Sequence, residues 1–212
     1  MTGFRRVVLW GLFLLLPSGV IPSPAGAQVI GKITGLVGSA TVQHAGSAGT
    51  EPLVSNEEVH QGDTLHAGPG AKLRVTLSDA SVLSLGADTE LKLDHLALSA
   101  PPTDPGSLFT LAGGFLRAAV GRLRPGSLFE IHSPSMVAAV RGTNWIESYS
   151  AGTTELFVAE GRVLATSAAD QTDWALLDAG EGVSFKIGSQ HTTVIRWGQE
   201  KINRYIEATR VP

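Results

Sequence analysis

The sequence predicts an all-β fold, a β-solenoid-like or sandwich-like stack of short strands followed by one amphipathic helix. Three observations predict this fold. Apolar and polar residues alternate with a period of two, turn-forming clusters separate these runs at spacings of about ten residues, and no long helical pattern interrupts them before residue 194. Since a period of two places one apolar row on one side of each strand, we expect strands that bury a single face.

Residues 1–27 have the pattern of an export signal. Arg5 and Arg6 form a basic start, Val7–Leu16 is an apolar run, and the small residues AGA precede Gln28 as a cleavage pattern. Because this run is shorter than a membrane span requires, we expect the segment to be removed and the mature chain to lie in the periplasm without a membrane span. An uncleaved signal anchor is the alternative.

Composition excludes several classes of function. The 212 residues carry a net charge of −3, and the chain without residues 1–27 has 14 basic against 19 acidic residues. An acidic balance with no Lys/Arg cluster argues against a nucleic-acid partner. The chain has no cysteine, which excludes disulfides, thiol catalysis and cysteine-type zinc sites.

The strand signals divide the mature chain into parts. Residues 28–61 are expected to form an N-terminal β segment continuous with the core. Alternation is clear in Lys72–Leu77, Leu83–Leu85 and Leu91–Leu93, and turn residues separate these runs. Three prolines predict a projecting loop over 98–106. Further strands are predicted at Leu108–Leu111, Phe115–Val120, Phe129–Ile131, Val137–Val140, Trp145–Tyr149, Leu156–Val158, Val163–Ala165 and Val183–Ile187.

Three segments resemble one another: 108–119, 156–166 and 176–185. Each places an apolar pair, a short glycine-containing turn and another apolar run in order. Stacked coils of a solenoid have this order, and so does any antiparallel hairpin with a glycine turn. Beyond them, residues 196–208 predict an amphipathic helix, expected to cover an exposed end of the β core or, alternatively, to bind a partner.

Few residues show a catalytic or ligand-binding pattern. The histidines lack metal-ligand spacing. A turn could bring His60 and His66 together, but no third ligand lies near them in the sequence, so no metal or cofactor is predicted. No nucleophile elbow or phosphate-binding loop occurs. We expect Trp145, Trp174 and Trp197 to pack in the core, with a sugar-stacking surface as the alternative. The six histidines are His44, His60, His66, His95, His132 and His191.

Arg141 follows the apolar run Met136–Val140. A buried guanidinium requires a carboxylate or carbonyl partner, and strand pairing can bring Glu147, Glu155 or Glu160 to it. We therefore expect Arg141 to stabilise the fold, and the alternative is that it points outward to a ligand.

The stretches "FEIHSPSMVAAVRGTNWIE" and "TTELFVAEGRV", preceded by "QGDTLHAGPGAKLRVTLSDASVLSLGADTELKL", resemble the FecR domain over about half of the chain. The resemblance places a FecR-like β domain at 62–163, a C-terminal β extension at 164–193, and a helix and tail at 194–212. Ala80 and Thr89 depart from the family pattern, which usually has glycine and serine there. The motif residues, expected to be structural, are Gly62, Asp63, Asp79, Ser81, Pro134, Arg141, Gly142, Thr143, Trp145, Glu160 and Gly161.

The resemblance implies a β-solenoid-like periplasmic module for protein–protein or ligand contact, and no catalytic residues. We therefore expect a non-enzymatic protein that binds an envelope protein or a glycan through a strand edge or a turn row, with the C-terminal helix as the alternative surface. FecR-type regulators place an anti-sigma segment and a membrane helix before this domain. Only six residues precede the apolar run here, so we expect an accessory part in envelope signalling at most. The alternatives are a carbohydrate-active enzyme on a β scaffold and a structural envelope component.

Overall fold

The computed structural model describes residues 28–98, 106–121, 123 and 127–212; the predicted signal segment and most of the proline-rich loop lie outside these residues. The described residues form seventeen strands and one helix. They are β1 (Val29–Val37), β2 (Ala40–Gln43), β3 (Glu51–Pro52), β4 (Glu58–His60), β5 (Thr64–Ala67), β6 (Lys72–Leu77), β7 (Val82–Leu85), β8 (Thr89–His95), β9 (Ser107–Ala119), β10 (Phe129–His132), β11 (Met136–Val140), β12 (Asn144–Ser150), β13 (Thr153–Glu160), β14 (Arg162–Ser167), β15 (Trp174–Asp178), β16 (Glu181–Lys186), β17 (Ile195–Arg196) and α1 (Gln199–Ala208).

The strands form two sheets that pack face to face, which confirms the all-β prediction. Sheet A has the order β4-β1-β6-β7-β9-β12-β13-β16-β17. Sheet B has the order β3-β2-β5-β8-β9-β10-β11-β14-β15. One apolar core lies between them, where Phe129 of sheet B meets the Trp145 ring of sheet A with 6.1 Å between centroids.

Strand β9 belongs to both sheets. Its first half pairs with β8 and β10 in sheet B, and its second half pairs with β7 and β12 in sheet A. The change of sheet occurs near Gly114, which has a φ of 87°. A Cβ there would lie 2.5 Å from the Thr89 Cα, so only glycine fits both the conformation and the contact. The two runs predicted at Leu108–Leu111 and Phe115–Val120 are therefore one bent strand.

The solenoid alternative is wrong. Coils that stack along a solenoid pair in parallel, but β9–β10 is the only parallel pair among the described strands, and the others are antiparallel. The three similar segments are places where the chain changes sheet: within β9, between β13 and β14, and between β15 and β16. They are therefore neither coils nor ordinary hairpins, because each hairpin would remain in one sheet.

Helix α1 packs on the outer face of sheet A. It begins at Gln199 rather than residue 196, and it covers the face of the sheet rather than an open end. Tyr205 and Trp197 contact Ile146 and Phe157 in a second apolar cluster. Among the described residues, no helix has the length and apolarity to cross a membrane.

Glu155 on β13 fixes the helix to the sheet. Its carboxylate accepts hydrogen bonds from Lys201 Nζ at 2.7 Å and from the Tyr205 hydroxyl. Partial burial raises the pKa of Glu155, but the hydrogen bonds from Lys201 and Tyr205 together hold that pKa below its ordinary value. Glu155 is therefore ionised at neutral pH, and it supplements the apolar contacts beneath α1.

Gly182→Ala tests how closely the segment before α1 packs on sheet A. A Cβ at residue 182 would lie 2.1 Å from the Trp197 indole nitrogen, so the ring must move off Phe157. We expect the free energy of unfolding to fall by about 1–3 kcal/mol, measured by urea denaturation. Gly113→Ala is the control, because no atom lies within 4 Å of a Cβ there; an equal loss in both variants would contradict this packing.

Candidate binding surface

Most of the motif residues after Pro134 lie in two corners, which are the short links where the chain passes from one sheet to the other. Residues 141–143 join β11 of sheet B to β12 of sheet A, and residue 161 joins β13 of sheet A to β14 of sheet B. The corners pack on each other: Thr143 Oγ1 donates to Arg162 O at 2.9 Å, and a Cβ on Gly161 would lie 3.0 Å from Gly142 O. This contact explains why a threonine and two glycines stand here.

The upstream motif residues and Pro134 also lie in turns. Asp79 accepts hydrogen bonds from the Ser81 backbone and hydroxyl at 2.9 and 3.0 Å. Ala80 between them has a φ of 67°, the conformation for which the family pattern usually has glycine. Pro134 lies in the turn between β10 and β11 and does not begin a strand, since β11 starts at Met136.

Arg141 is exposed. The prediction that a carboxylate or a backbone carbonyl holds its guanidinium is wrong for the described residues, since the Arg141 side chain makes no hydrogen bond or ion pair among them. Glu147 lies in the core beside Trp145, Glu155 binds Lys201, and Glu160 is exposed. The backbone of the corner therefore stabilises the fold, while the guanidinium faces solvent.

The guanidinium stands at one end of the outer face of sheet B. Strand register places outward side chains in two rows across β10, β11, β14 and β15. One row is Glu130, Ala139, Leu164 and Leu176, and the other is His132, Val137, Thr166 and Trp174. Small side chains on β11 beside larger ones on β14 and β15 make this face concave.

The result is an open groove of about 820 Å³, which we call the sheet B groove. Its apolar floor includes Leu164 and Leu176, which are 41% and 49% exposed. Charged groups surround the floor. Arg141 and Arg162 lie at one end, and on β10 Glu130 Oε2 and His132 Nε2 form a hydrogen bond of 2.8 Å. The groove therefore has an apolar floor bordered by charged side chains, a combination common in ligand-binding sites.

Strand β15 forms one edge of sheet B, and part of its backbone is unpaired. Ser167 N–H donates to Asp173 O at 2.8 Å, so Ser167 and Asp173 form a hydrogen-bonded pair. This pair determines which of the following residue pairs of β14 and β15 are hydrogen-bonded. Because antiparallel residues alternate, Ala175 and Leu177 face β14, whereas Trp174 and Leu176 direct their N–H and C=O groups outward. Asp178 N–H is bound by the Glu181 carboxylate at 2.8 Å. Within the described residues, no hydrogen bond occupies the outward groups of Trp174 and Leu176.

The other three sheet edges are short. β3 and β17 have two residues each, and β4 has three, against five in β15. Short edges resist pairing with other chains, while a longer edge with an apolar face invites it. β15 was not among the strands predicted from the sequence, although Trp174, Leu176 and Asp178 alternate there with the apolar residues Ala175 and Leu177.

The tryptophans separate into two groups. Trp145 and Trp197 are buried, as expected, whereas Trp174 is 56% exposed beside the groove. Glu130 is the one carboxylate among the described lining residues, and it is paired with His132. Glycoside hydrolysis commonly uses two carboxylates, so this groove offers no support for the carbohydrate-active enzyme alternative.

Elsewhere, the fold brings together three potential metal ligands: His44, His60 and Asp63. The sequence predicted no metal site here. Of the two histidines that it placed across a turn, His60 belongs to this group, whereas His66 is exposed on β5 and lies outside it. Asp63 is 1% exposed, and its hydrogen bond raises the pKa of His44. The spacing between residues 44 and 60 gave no signal of this proximity.

The fold and the groove define a mainly antiparallel β-sandwich domain with one covered face and one open face. Residues 63–164 match the family model of the FecR protein, so the chain carries a FecR domain, as its motifs indicated. Two crystal structures of a "putative anti-sigma factor" from Parabacteroides distasonis ATCC 8503, at 2.50 and 1.65 Å resolution, share the fold. Each has a TM-score of 0.55 and 16% identity over 68% of this chain.

The match spans 63% and 64% of the length of those two chains. A search of curated proteins finds no match. At this identity the two structures establish a shared fold, and the FecR match establishes the family of the domain.

Glu147 is a buried acid within the sandwich core. It is fully buried, one carboxyl oxygen accepts from Trp145 Nε1 at 3.1 Å, and the other has no hydrogen-bond partner. Burial raises the pKa of Glu147 to about 8, and the Trp145 hydrogen bond offsets only part of that effect. Glu147 is therefore protonated in the folded protein at neutral pH.

Arg141→Ala and Thr143→Val compare the contribution of the exposed arginine with that of the hydrogen bond that joins the two corners. Because Arg141 is exposed, Arg141→Ala is expected to change the free energy of unfolding by less than about 0.5 kcal/mol. Thr143→Val leaves the Arg162 carbonyl without its donor and is expected to cost about 1–3 kcal/mol. Thermal and urea denaturation of both variants test this, and a large loss in Arg141→Ala would show that the arginine stabilises the corner.

Because the pKa of Glu147 is raised in the folded protein, we expect the free energy of unfolding to fall as the pH rises. Below about pH 4.5 both the folded and unfolded states hold its proton, and between about pH 4.5 and 8 only the unfolded chain releases it. This group's contribution to the free energy of unfolding therefore falls by roughly 1.4 kcal/mol per pH unit in that window and levels off above it. Urea denaturation from pH 5 to 8.5 measures the slope.

Glu147→Gln should remove this contribution while keeping an acceptor for Trp145. The matched control is Glu160→Gln, because Glu160 is exposed and should retain the slope of the parent protein. A Glu147→Gln protein with an unchanged slope would show that Glu147 is ionised in the core.

Proposed function

We propose that this chain is a non-enzymatic binding module of the cell envelope, which takes up an extended segment of another envelope protein along β15. The observation that carries the proposal is the combination of the unpaired β15 edge and the exposed apolar floor of the sheet B groove. An added strand would bind the outward backbone groups of Trp174 and Leu176, as in β-strand addition. Its alternate side chains would extend the apolar row formed by Leu164 and Leu176.

The charges around the groove add specificity. Arg141 and Arg162 lie at one end, and Arg162 pairs with Asp178 at 2.7 Å on the surface. Because surface pairs are weak, an acidic group on the partner can share Arg162, which lies on β14 next to β15. We therefore propose a partner segment with alternating apolar residues and an acidic residue near the end that passes Arg162.

Export and signalling complete the proposal. The signal pattern of residues 1–27 supports a periplasmic location, and the FecR domain supports an accessory part in envelope signalling. The description of the two structural neighbours as a "putative anti-sigma factor" is consistent with that role. A glycan is the second candidate ligand, favoured by the exposed ring of Trp174.

Site-specific photo-crosslinking in the native envelope tests the surface. A photo-reactive residue at position 164 or 176 should capture one discrete protein, whereas the same group at Val54 or Ile187 should not. Val54 and Ile187 are matched controls because they are exposed apolar residues, 59% and 54% accessible, outside the groove. Equal capture at all four positions would contradict the proposal.

Leu176→Pro tests strand addition itself. Proline removes the outward N–H of residue 176 and leaves the bonds of Ala175 and Leu177 to β14 intact. We expect crosslinking from position 164 to fall about tenfold, as the loss of one backbone bond predicts, with a melting temperature near that of the parent. If capture is unchanged by Leu176→Pro and a glycan array instead shows binding that depends on Trp174, the ligand is a glycan.

A further inference from the structure

We propose that His44, His60 and Asp63 form a binding site for a divalent transition-metal ion, with Zn²⁺ as the best fit. Each residue offers one ligand atom, and these atoms lie within 4.8 Å of one another. Two imidazoles and one carboxylate are a donor set that zinc accepts in proteins, with a fourth position open to water or to another side chain.

The distances fit such an ion. Zinc bonds of about 2.0 Å in tetrahedral geometry separate neighbouring ligand atoms by about 3.3 Å. Here His44 Nδ1 lies 3.0 Å from Asp63 Oδ1, and His60 Nδ1 lies 3.6 Å from the other carboxylate oxygen, Oδ2. One ligand atom from each of the three residues lies within 4.8 Å of the others, somewhat wider than the spacing around a bound ion. The two imidazole rings are 6.1 Å apart between centroids and nearly perpendicular. Small side-chain rotations therefore suffice to direct all three donors to one point.

The backbone holds the carboxylate in place. Asp63 is buried, and its Oδ2 accepts the His60 backbone N–H at 2.8 Å. The turn between His60 and Asp63 is closed by an Asp63 N–H to His60 O bond of 3.1 Å. A fixed carboxylate loses little freedom when it binds an ion, whereas the two histidines, 38% and 30% exposed, leave the site open to solvent.

The surrounding charge favours a cation. The carboxylates of Glu51 and Glu57 lie close enough to His44 to act on it electrostatically, and their negative charge attracts a cation. The donors are nitrogen and oxygen, so the site suits zinc better than calcium or magnesium, which take oxygen ligands.

A bound ion would join the two sheets at the N-terminal end of the sandwich. His60 ends β4 of sheet A, whereas His44 follows β2 and Asp63 precedes β5, which are both in sheet B. An ion that binds the folded arrangement more tightly than the unfolded chain stabilises the fold. The site is therefore expected to couple metal occupancy to the stability of this end of the domain.

Zinc titration of the full mature chain, first stripped with a chelator, tests the proposal. Isothermal titration calorimetry with ZnCl₂ should give one ion per chain, and the melting temperature should rise with zinc concentration. His44→Ala and His60→Gln should each weaken binding at least tenfold to a hundredfold. His66→Ala is the control, because His66 is an exposed histidine nearby on β5 and should leave the affinity unchanged.

Nuclear magnetic resonance of the unmodified protein gives a second readout that does not depend on variant folding. Zinc should shift the imidazole resonances of His44 and His60 and leave those of His66 and His132 in place. The proposal is overturned if no saturable binding occurs, if the shifts are equal at all histidines, or if His66→Ala weakens binding as much as His44→Ala.

Discussion

The sandwich depends on one long strand that belongs to both of its sheets. β9 pairs with two strands in sheet B, turns at Gly114 and pairs with two strands in sheet A. Because it is central in each sheet, it places the strands before it and the strands after it on opposite sides of itself. The close contact of Gly114 with Thr89 fixes where the chain crosses, and hence which apolar rows of the two sheets meet in the core.

The two outer faces then differ. Sheet A is covered over β12 and β13 by α1, where Tyr205 and Trp197 pack on Ile146 and Phe157 and Glu155 binds Lys201. The described residues place no helix on sheet B, whose outer face beside β15 remains apolar and accessible. An edge strand with free backbone groups next to an apolar face is costly to leave exposed, which is why we assign binding to this side of the molecule.

Sequence alone predicted the all-β class, most of the strands after residue 72 and a helix near the C-terminus, because alternation is a local property. It did not distinguish a solenoid from a sandwich, since period-two patterns are the same in parallel and antiparallel strands. Arg141 was expected to be buried with a carboxylate or carbonyl partner because it follows a buried strand. It is exposed because it lies in a corner between the two sheets, which the local sequence does not reveal. The approach of His44 to His60 and Asp63 was equally hidden, as it arises from pairing between distant segments.

Amide hydrogen exchange along β15, resolved by residue, tests the open edge most directly. In the free protein, Ala175 and Leu177 donate to β14 and should be protected, whereas Trp174 and Leu176 should exchange at rates close to those of unstructured peptide. Such alternation would establish the unpaired edge on which strand addition depends. Uniform protection of all four amides would contradict it, because the edge would then already be occupied.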